Sequence, residues 1–355
     1  MQKASKIRKI KSYLKVYQDP ERKPIFRIIR ELAILLWTHK DIPIHYFTYY
    51  QFKEGMTNFN DFLPCRLSAK IPSHFNDQKL KEILDNKLYF DLFYRQFNIR
   101  IPKTILFNHG RRFASDGKSL EINDFRTFET LLKDTFSMNP FQNSLFVKKI
   151  YSSSKGANIY KIQSSQLDSD PEELQQIFEE ILQSEFLFQE AIRQHKHLNL
   201  LNPSSVNTLR IDTFIDESGK VNVLSGYIRM SMNNHYVDNI GSGGCMVGVD
   251  MESGRLRKYG YTDFYSNPNE RLTSHPITKT VFEGFRIPFI PEAKDLVTKA
   301  ASVMPGLRLI GWDVAIGEDG PILVEGNSDY GIRGNDMHYG GYRTHPVFKK
   351  ILEEI

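Results

Sequence analysis

Cysteine is nearly missing from this chain: only Cys65 and Cys245 occur in 355 residues. Two thiols without metal-ligand spacing supply neither a zinc site nor a disulfide framework, and both are expected as buried free thiols. Long apolar runs are missing too. The most apolar stretch, residues 25–37, is short and broken by Arg27, Arg30 and Glu31, so it does not cross a bilayer. Residues 1–13 are rich in Lys and Arg but lead into no uninterrupted apolar region, so no secretory signal is expected and the expected location is cytoplasmic. An excess of one charge is lacking as well. The 47 Lys and Arg against 42 Asp and Glu leave a net charge of +5, too small to imply a nucleic-acid partner although it suits an anionic small ligand. Internal repeats, low-complexity linkers and the phosphate-binding pattern G-x-x-x-x-G-K-[ST] are all absent.

What remains is a globular composition, 40% hydrophobic and 25% charged, in a chain long enough for two or three subdomains. Residues 1–75 read as mostly helical and end near the loop 70–73. Within them, residues 25–37 form an amphipathic helix preceded by Lys3, Lys6, Arg8, Lys9, Lys11 and Lys15. Two roles are open to it: packing on the main body, which is the expected one, or peripheral contact with an anionic membrane surface. Helical spacing follows over 77–97 and 123–136, with strands at 101–107, 145–150 and up to 162. Asp170 before Pro171, with Glu173 three residues on, starts a helix that runs to about 184. Strands then dominate, at 186–191, 206–215, 221–230 and 245–250, separated by turns that suggest antiparallel pairs. A helix over 291–303 leads to a final hairpin. The layout is α+β, with a helical region at 1–75, a core at 76–115 and 191–355, and an inserted α/β lid at 116–190.

That hairpin, residues 309–327, carries the strongest chemical signal. If Glu318, Asp319 and Gly320 form a three-residue loop with Gly320 left-handed, Gly317 pairs with Pro321 and Asp313 falls opposite Glu325. Strand alternation then gathers Asp313, Glu325 and Asn327 on one face. Two carboxylates and an amide oxygen, with no His or Cys, suit a hard cation such as magnesium. The competing reading is a solvated hairpin face. Because Val314, Ala315, Ile322, Leu323 and Val324 surround the acids, both strands read as buried, and a buried carboxylate pair without a cation is costly.

Other elements are weaker singly. Lys148 ends a strand before a small polar loop containing Ser153, Ser154 and Gly156, an arrangement able to hold phosphates or to be an ordinary turn. Gln189, Glu190 and Ile192 end another strand, where a backbone N–H and side-chain acceptors can meet an adenine edge. Arg210 and Arg229 interrupt apolar strands and need anions, either phosphate or a structural partner such as Asp212 or Asp238. The glycines of 241–244 permit close backbone approach to a ligand or make a bulge.

In order, these elements resemble ATP-grasp enzymes over about residues 80–355. Asn86 to Pro102 resembles the family's helix that opens with a nucleotide-contacting Lys, which makes Lys87 a candidate phosphate ligand, and Phe146-Val147-Lys148 matches its second Lys. Ser205 to Arg210, Val237-Asp238-Asn239 with Gly243-Gly244, and the D…E-x-N hairpin look most like the sugar-transfer-associated branch, which is related to glutamate ligases. Lys149 and Lys155 depart from the Pro and Gly common at their positions. Gly311 stands where D-Ala-D-Ala ligase relatives carry Arg, so Arg210 or Arg229 takes that place. The resemblance implies the ATP-grasp fold, ATP with one or two magnesium ions, and an ATP-dependent carboxylate–amine ligase acting through an acyl phosphate. Its substrates would be a sugar acid, such as a uronic acid, and an amine or amino acid, in surface-polysaccharide assembly. Arg210 and Arg229 would be catalytic, Arg333 and His338 would meet substrate. A sugar or polyol kinase and a non-catalytic nucleotide-binding scaffold remain open alternatives.

Overall fold

The computed structural model describes residues 11–115, 117–138, 143–151, 159–233 and 243–355. Two antiparallel sheets organise it. The first contains β1 (Thr104–His109), β2 (Arg112–Ser115), β3 (Lys118–Glu121), β4 (Ser144–Lys149), β5 (Ile159–Gln163) and β6 (Glu185–Glu190), in the order β3-β2-β1-β6-β4-β5. Residues 104–109, grouped by sequence with the core, are thus hydrogen bonded directly to 185–190, and residues 112–114 pair with 107–109.

The second sheet holds β7 (Thr208–Ile215), β8 (Val221–Ser231), β9 (Gly244–Asp250), β10 (Arg255–Tyr261), β11 (Arg271–Leu272), β12 (Leu309–Gly317) and β13 (Gly320–Asn327). Their order is β11-β10-β9-β8-β7-β12-β13. Every residue of β7 and β12 is buried, because helices cover both faces of the sheet's middle.

Helices α1 (Ile25–His39), α2 (Cys65–Phe75), α3 (Lys87–Arg95), α4 (Phe125–Met138), α5 (Pro171–Leu182), α6 (Ile290–Ser302), α7 (Ile332–Tyr339) and α8 (Pro346–Glu353) supply the remaining layers. Phe128 and Leu132 of α4 and Leu174, Ile177 and Phe178 of α5 pack on Leu106, Val147 and Phe188 of the first sheet. Ala293, Val297 and Ala300 of α6 pack on Leu209, Ile211, Trp312 and Val314 of the second. The opposite side of that sheet is closed at one end by α7 and α8, through Phe214, Leu309, Ile332 and Phe348.

Several local expectations are corrected. The helix read over 77–97 breaks at buried Asn86, whose Oδ1 accepts from the N–H groups of Leu88 and Tyr89 at 2.9 and 3.0 Å and starts α3 afresh. The loop expected at 70–73 is helical, with Pro72 inside α2. Cys245 is a buried free thiol as expected, whereas Cys65 is only half-buried. Asp170 caps α5 as its sequence implies, accepting from Glu173 N–H at 3.2 Å. The expected packing of α1 on the body is present, since Ile28 and Leu35 share a cluster with Tyr46, Tyr50, Phe52 and Phe264.

Candidate active site

Strand alternation gives the second sheet one apolar face and one polar face. Leu209, Ile211, Trp312 and Val314 go under α6, so Thr208, Arg210 and Asp212 of β7 and Asp313 of β12 face the other way. The ladder puts Asp313 opposite Arg210, and Arg210 opposite Tyr227. Arg210 donates from Nε to Oδ1 of Asp313 at 2.5 Å and from Nη2 to Oδ2 at 3.2 Å. Arg229 adds an Nη2 donor to Oδ2 at 2.8 Å and also donates to Thr208 Oγ1. Burial works against the Asp313 charge, but the two guanidinium groups outweigh it and hold the carboxyl below its ordinary range. Asp212, one alternative partner considered for these arginines, is engaged elsewhere: it accepts from Tyr330, Tyr342, Ser225 and Asn335. Asp238, the other, lies outside the described residues.

The hairpin reaches its expected pairing by a different route. Gly317 pairs with Gly320, with φ +118° at Gly320, so the loop has two residues rather than three. A bulge then changes the register between Asp313 and Val314, which pair with Glu325 and Leu323. The extra residue is Val324. Because Val324 is bulged out, Asp313 pairs with Glu325; in regular pairing Asp313 would meet Val324, and Glu325 would fall opposite Trp312 on the apolar face. Asn327 lies opposite Gly311 and donates from Nδ2 to its carbonyl at 3.3 Å, leaving its Oδ1 oxygen for another partner.

A cleft of about 160 Å³ between the two sheets is lined by Lys87, Lys148, Gln189, Glu190, Ile192, Arg229, Asp313 and Glu325, among others. Eight of the residues singled out from sequence therefore meet in one cavity. Lys87 arrives on the first turn of α3, tied to the first sheet by its backbone N–H, which donates to Ile150 O at 3.1 Å. Lys148 donates to Gln189 Oε1 at 3.2 Å. Glu190 accepts from the backbone N–H of Lys103 at 3.1 Å, which fixes its carboxylate at the edge of the cleft. Leu84, Phe90, Phe146, Val206 and Val324 supply apolar walls. Thr208, unremarked in the sequence, also lines the cleft and holds Arg229; its place two residues before Arg210 on a strand was the available signal.

Asp313, Glu325 and Asn327 offer hard oxygen donors only, a set that fits a magnesium ion completing its shell with phosphate and water. Three guanidinium donors already occupy Asp313, so Glu325, which makes no hydrogen bond among the described residues, is the less engaged carboxylate. Among those residues no group of three or more His, Cys, Asp or Glu is placed to hold a metal. Arg210 reaches the site only through Asp313. Arg333 and His338 do not reach the cleft. Arg333 donates to Thr48 Oγ1 at 3.0 Å and lies over the Tyr49 ring, while His338 is buried against Tyr227 and Tyr261. Ser153, Ser154 and Gly156 fall outside the described residues.

A family profile described as sugar-transfer associated ATP-grasp matches residues 66–349, most of the chain. The chain belongs to this family. Its ATP-grasp segment therefore includes both sheets and every cleft residue named above, and leaves residues 1–65 outside. No curated protein matches the sequence. Solved structures that resemble this ATP-grasp chain include the ATP-grasp ligase PsnB complexed with minimal precursor, at 14% identity and TM-score 0.41, covering 79% of this chain and 64% of that one. D-alanyl-alanine synthetase A from Vibrio cholerae is another, at 16% identity and TM-score 0.44, with 76% and 64% covered. D-cycloserine synthetase DcsG is a third, at 13% and 0.44, with 82% and 78% covered. The chain thus spans under two-thirds of the length of the first two. No helix among the described residues is long and apolar enough to cross a membrane.

Proposed function

We propose that this protein is an ATP-dependent carboxylate–amine ligase. The observation that carries the reading is the meeting of Lys87, Lys148, Asp313 and Glu325, drawn from four separate elements, in one cleft between the sheets. Lys87 and Lys148 are suited to phosphate, and Gln189, Glu190 and the backbone of Ile192 to adenine between the apolar walls. Ser153, Ser154 and Gly156 would add backbone donors at the phosphates. Asp313, Glu325 and Asn327 would hold magnesium, which when bound neutralises phosphate charge.

In this reading a substrate carboxylate oxygen attacks the γ-phosphorus and ADP leaves. The amine nitrogen then attacks the acyl carbon, phosphate leaves, and the nitrogen gives up a proton as the amide forms. No protein nucleophile is needed, so the chain contributes positioning and charge. Arg229, which lines the cleft, is placed to meet developing negative charge. Arg210 is a positioning residue that orients Asp313. The sugar-transfer association in the family description favours a sugar acid, such as a uronic acid, as the carboxylate; an amino acid as the amine, a role in surface-polysaccharide assembly and a cytoplasmic location complete the proposal.

Purified protein with ATP, magnesium, a sugar-acid pool and an amino-acid pool should release ADP and free phosphate in equal amounts. Formation of ADP without free phosphate would instead identify a kinase. Nucleotide binding with no turnover, unaffected by Asp313→Ala, would identify a scaffold.

A further inference from the structure

The outer face of α1 carries an apolar stripe that none of the described residues covers. Phe26 is 76% exposed, Ile29 61%, Leu36 51% and Trp37 85%. At about 100° per residue these four and Ala33 fall within an arc of about 120°. The opposite arc holds Ile28, Glu31 and Leu35, all buried in the cluster with Tyr46, Phe52 and Phe264. The helix is pinned in this orientation, because Glu31 accepts from Lys23 Nζ and from Tyr46 Oη, both at 2.7 Å and both buried. Contiguous bulky apolar side chains on a surface of this kind mark an interaction site.

Charge selects the partner. Glu31, the only acid in α1, is turned inward, while exposed Arg30 shares the outer arc and exposed Lys40 ends it. Residues 1–40 contain eleven Lys and Arg against three Asp and Glu, whereas the remaining 315 residues hold thirty-six against thirty-nine. The basic excess of the whole protein therefore resides at this end. A fixed apolar stripe with Phe in its first turn, Trp in its last, and cations at its edge has the composition of a helix that rests in a lipid interface.

We propose that α1 lies in the surface of a bilayer rich in anionic phospholipid, with Phe26, Ile29, Leu36 and Trp37 at the acyl boundary and Arg30 and Lys40 among the phosphate headgroups. The surface shares no residue with the nucleotide cleft, so it stands or falls independently of the ligase reading.

The test uses the full chain with vesicles rich in phosphatidylglycerol and with vesicles of phosphatidylcholine alone. Trp37 is a built-in reporter, since the only other tryptophan, Trp312, is fully buried. The protein should sediment with the anionic vesicles and shift Trp37 emission to the blue, with affinity for the neutral vesicles roughly tenfold weaker or worse. Phe26→Glu with Leu36→Glu, and separately Arg30→Glu with Lys40→Glu, should each weaken anionic binding about tenfold while leaving the melting temperature and ATP turnover unchanged. Three results overturn the proposal: no sedimentation of the folded protein, undiminished binding by both variants, or a concentration-dependent blue shift without vesicles, which would assign the stripe to a second copy of the chain.

Discussion

Arg210 and Arg229 meet on a single carboxylate, Asp313, inside the second sheet. Removing one partner from such a buried cluster leaves charge uncompensated, so Arg210→Met should destabilise the fold by about 3–5 kcal/mol in urea denaturation. Glu325 tests the opposite case. It is half-buried and unpaired among the described residues, so Glu325→Gln should change stability by only about 0.5 kcal/mol, while ADP formation falls at least roughly a hundredfold through loss of the charge proposed to hold magnesium. Asp336 gives a pH signature. Burial pushes its carboxyl up to about 7 from an ordinary 3.8, against backbone donors from Tyr342 and Leu63. The folded form therefore holds a proton that the unfolded chain releases above about 4, and this contribution is fully present below pH 4 and lost as pH rises through 7. Chemical denaturation from pH 4 to 8 should show the wild type losing stability relative to Asp336→Asn, by an amount of the order of a few kcal/mol. Asp313 and Glu325 were legible in the sequence because they interrupt apolar strands. The partner of Arg210 was not, because it depends on β7 lying beside β12, about a hundred residues apart.

At the scale of elements, α3 exists as a separate helix because Asn86 restarts it, and that restart delivers Lys87 to the cleft. Asn86→Ala removes the cap and should cost about 0.5–2 kcal/mol, with KM for ATP rising more than kcat falls. An equal effect on stability with no change in KM would show that Lys87 does not depend on its cap. Most strands were readable to within one or two residues because their apolar runs end in Gly, Asp or Ser turns. The β13 bulge was not readable: a two-residue loop plus Val324 gives the same Asp313 to Glu325 pairing as a plain three-residue loop, so pairing alone did not distinguish them. Arg333 and His338 lie away from the cleft for a related reason. They follow the hairpin closely in sequence, but α7 packs on β8 and β9 and sets Arg333 beside Thr48 and Tyr49 and His338 against Tyr227 and Tyr261.

For the whole molecule, two antiparallel sheets meet across a cleft that takes Lys87 from α3, Lys148 and Glu190 from the first sheet, and Arg229, Asp313 and Glu325 from the second. The α+β layout and the order of the elements were present in the sequence; the cleft was not, since it requires sheets to be juxtaposed by contacts between distant residues. The proposal that this cleft joins a carboxylate to an amine at the expense of ATP is open to mass spectrometry of a reaction containing ATP, magnesium, sugar acids and amino acids. The predicted result is a new species whose mass equals one sugar acid plus one amino acid less one water, formed with ADP and phosphate and absent with Glu325→Gln. A product heavier than a substrate by one phosphoryl group, or no product while ATP is bound, would contradict it.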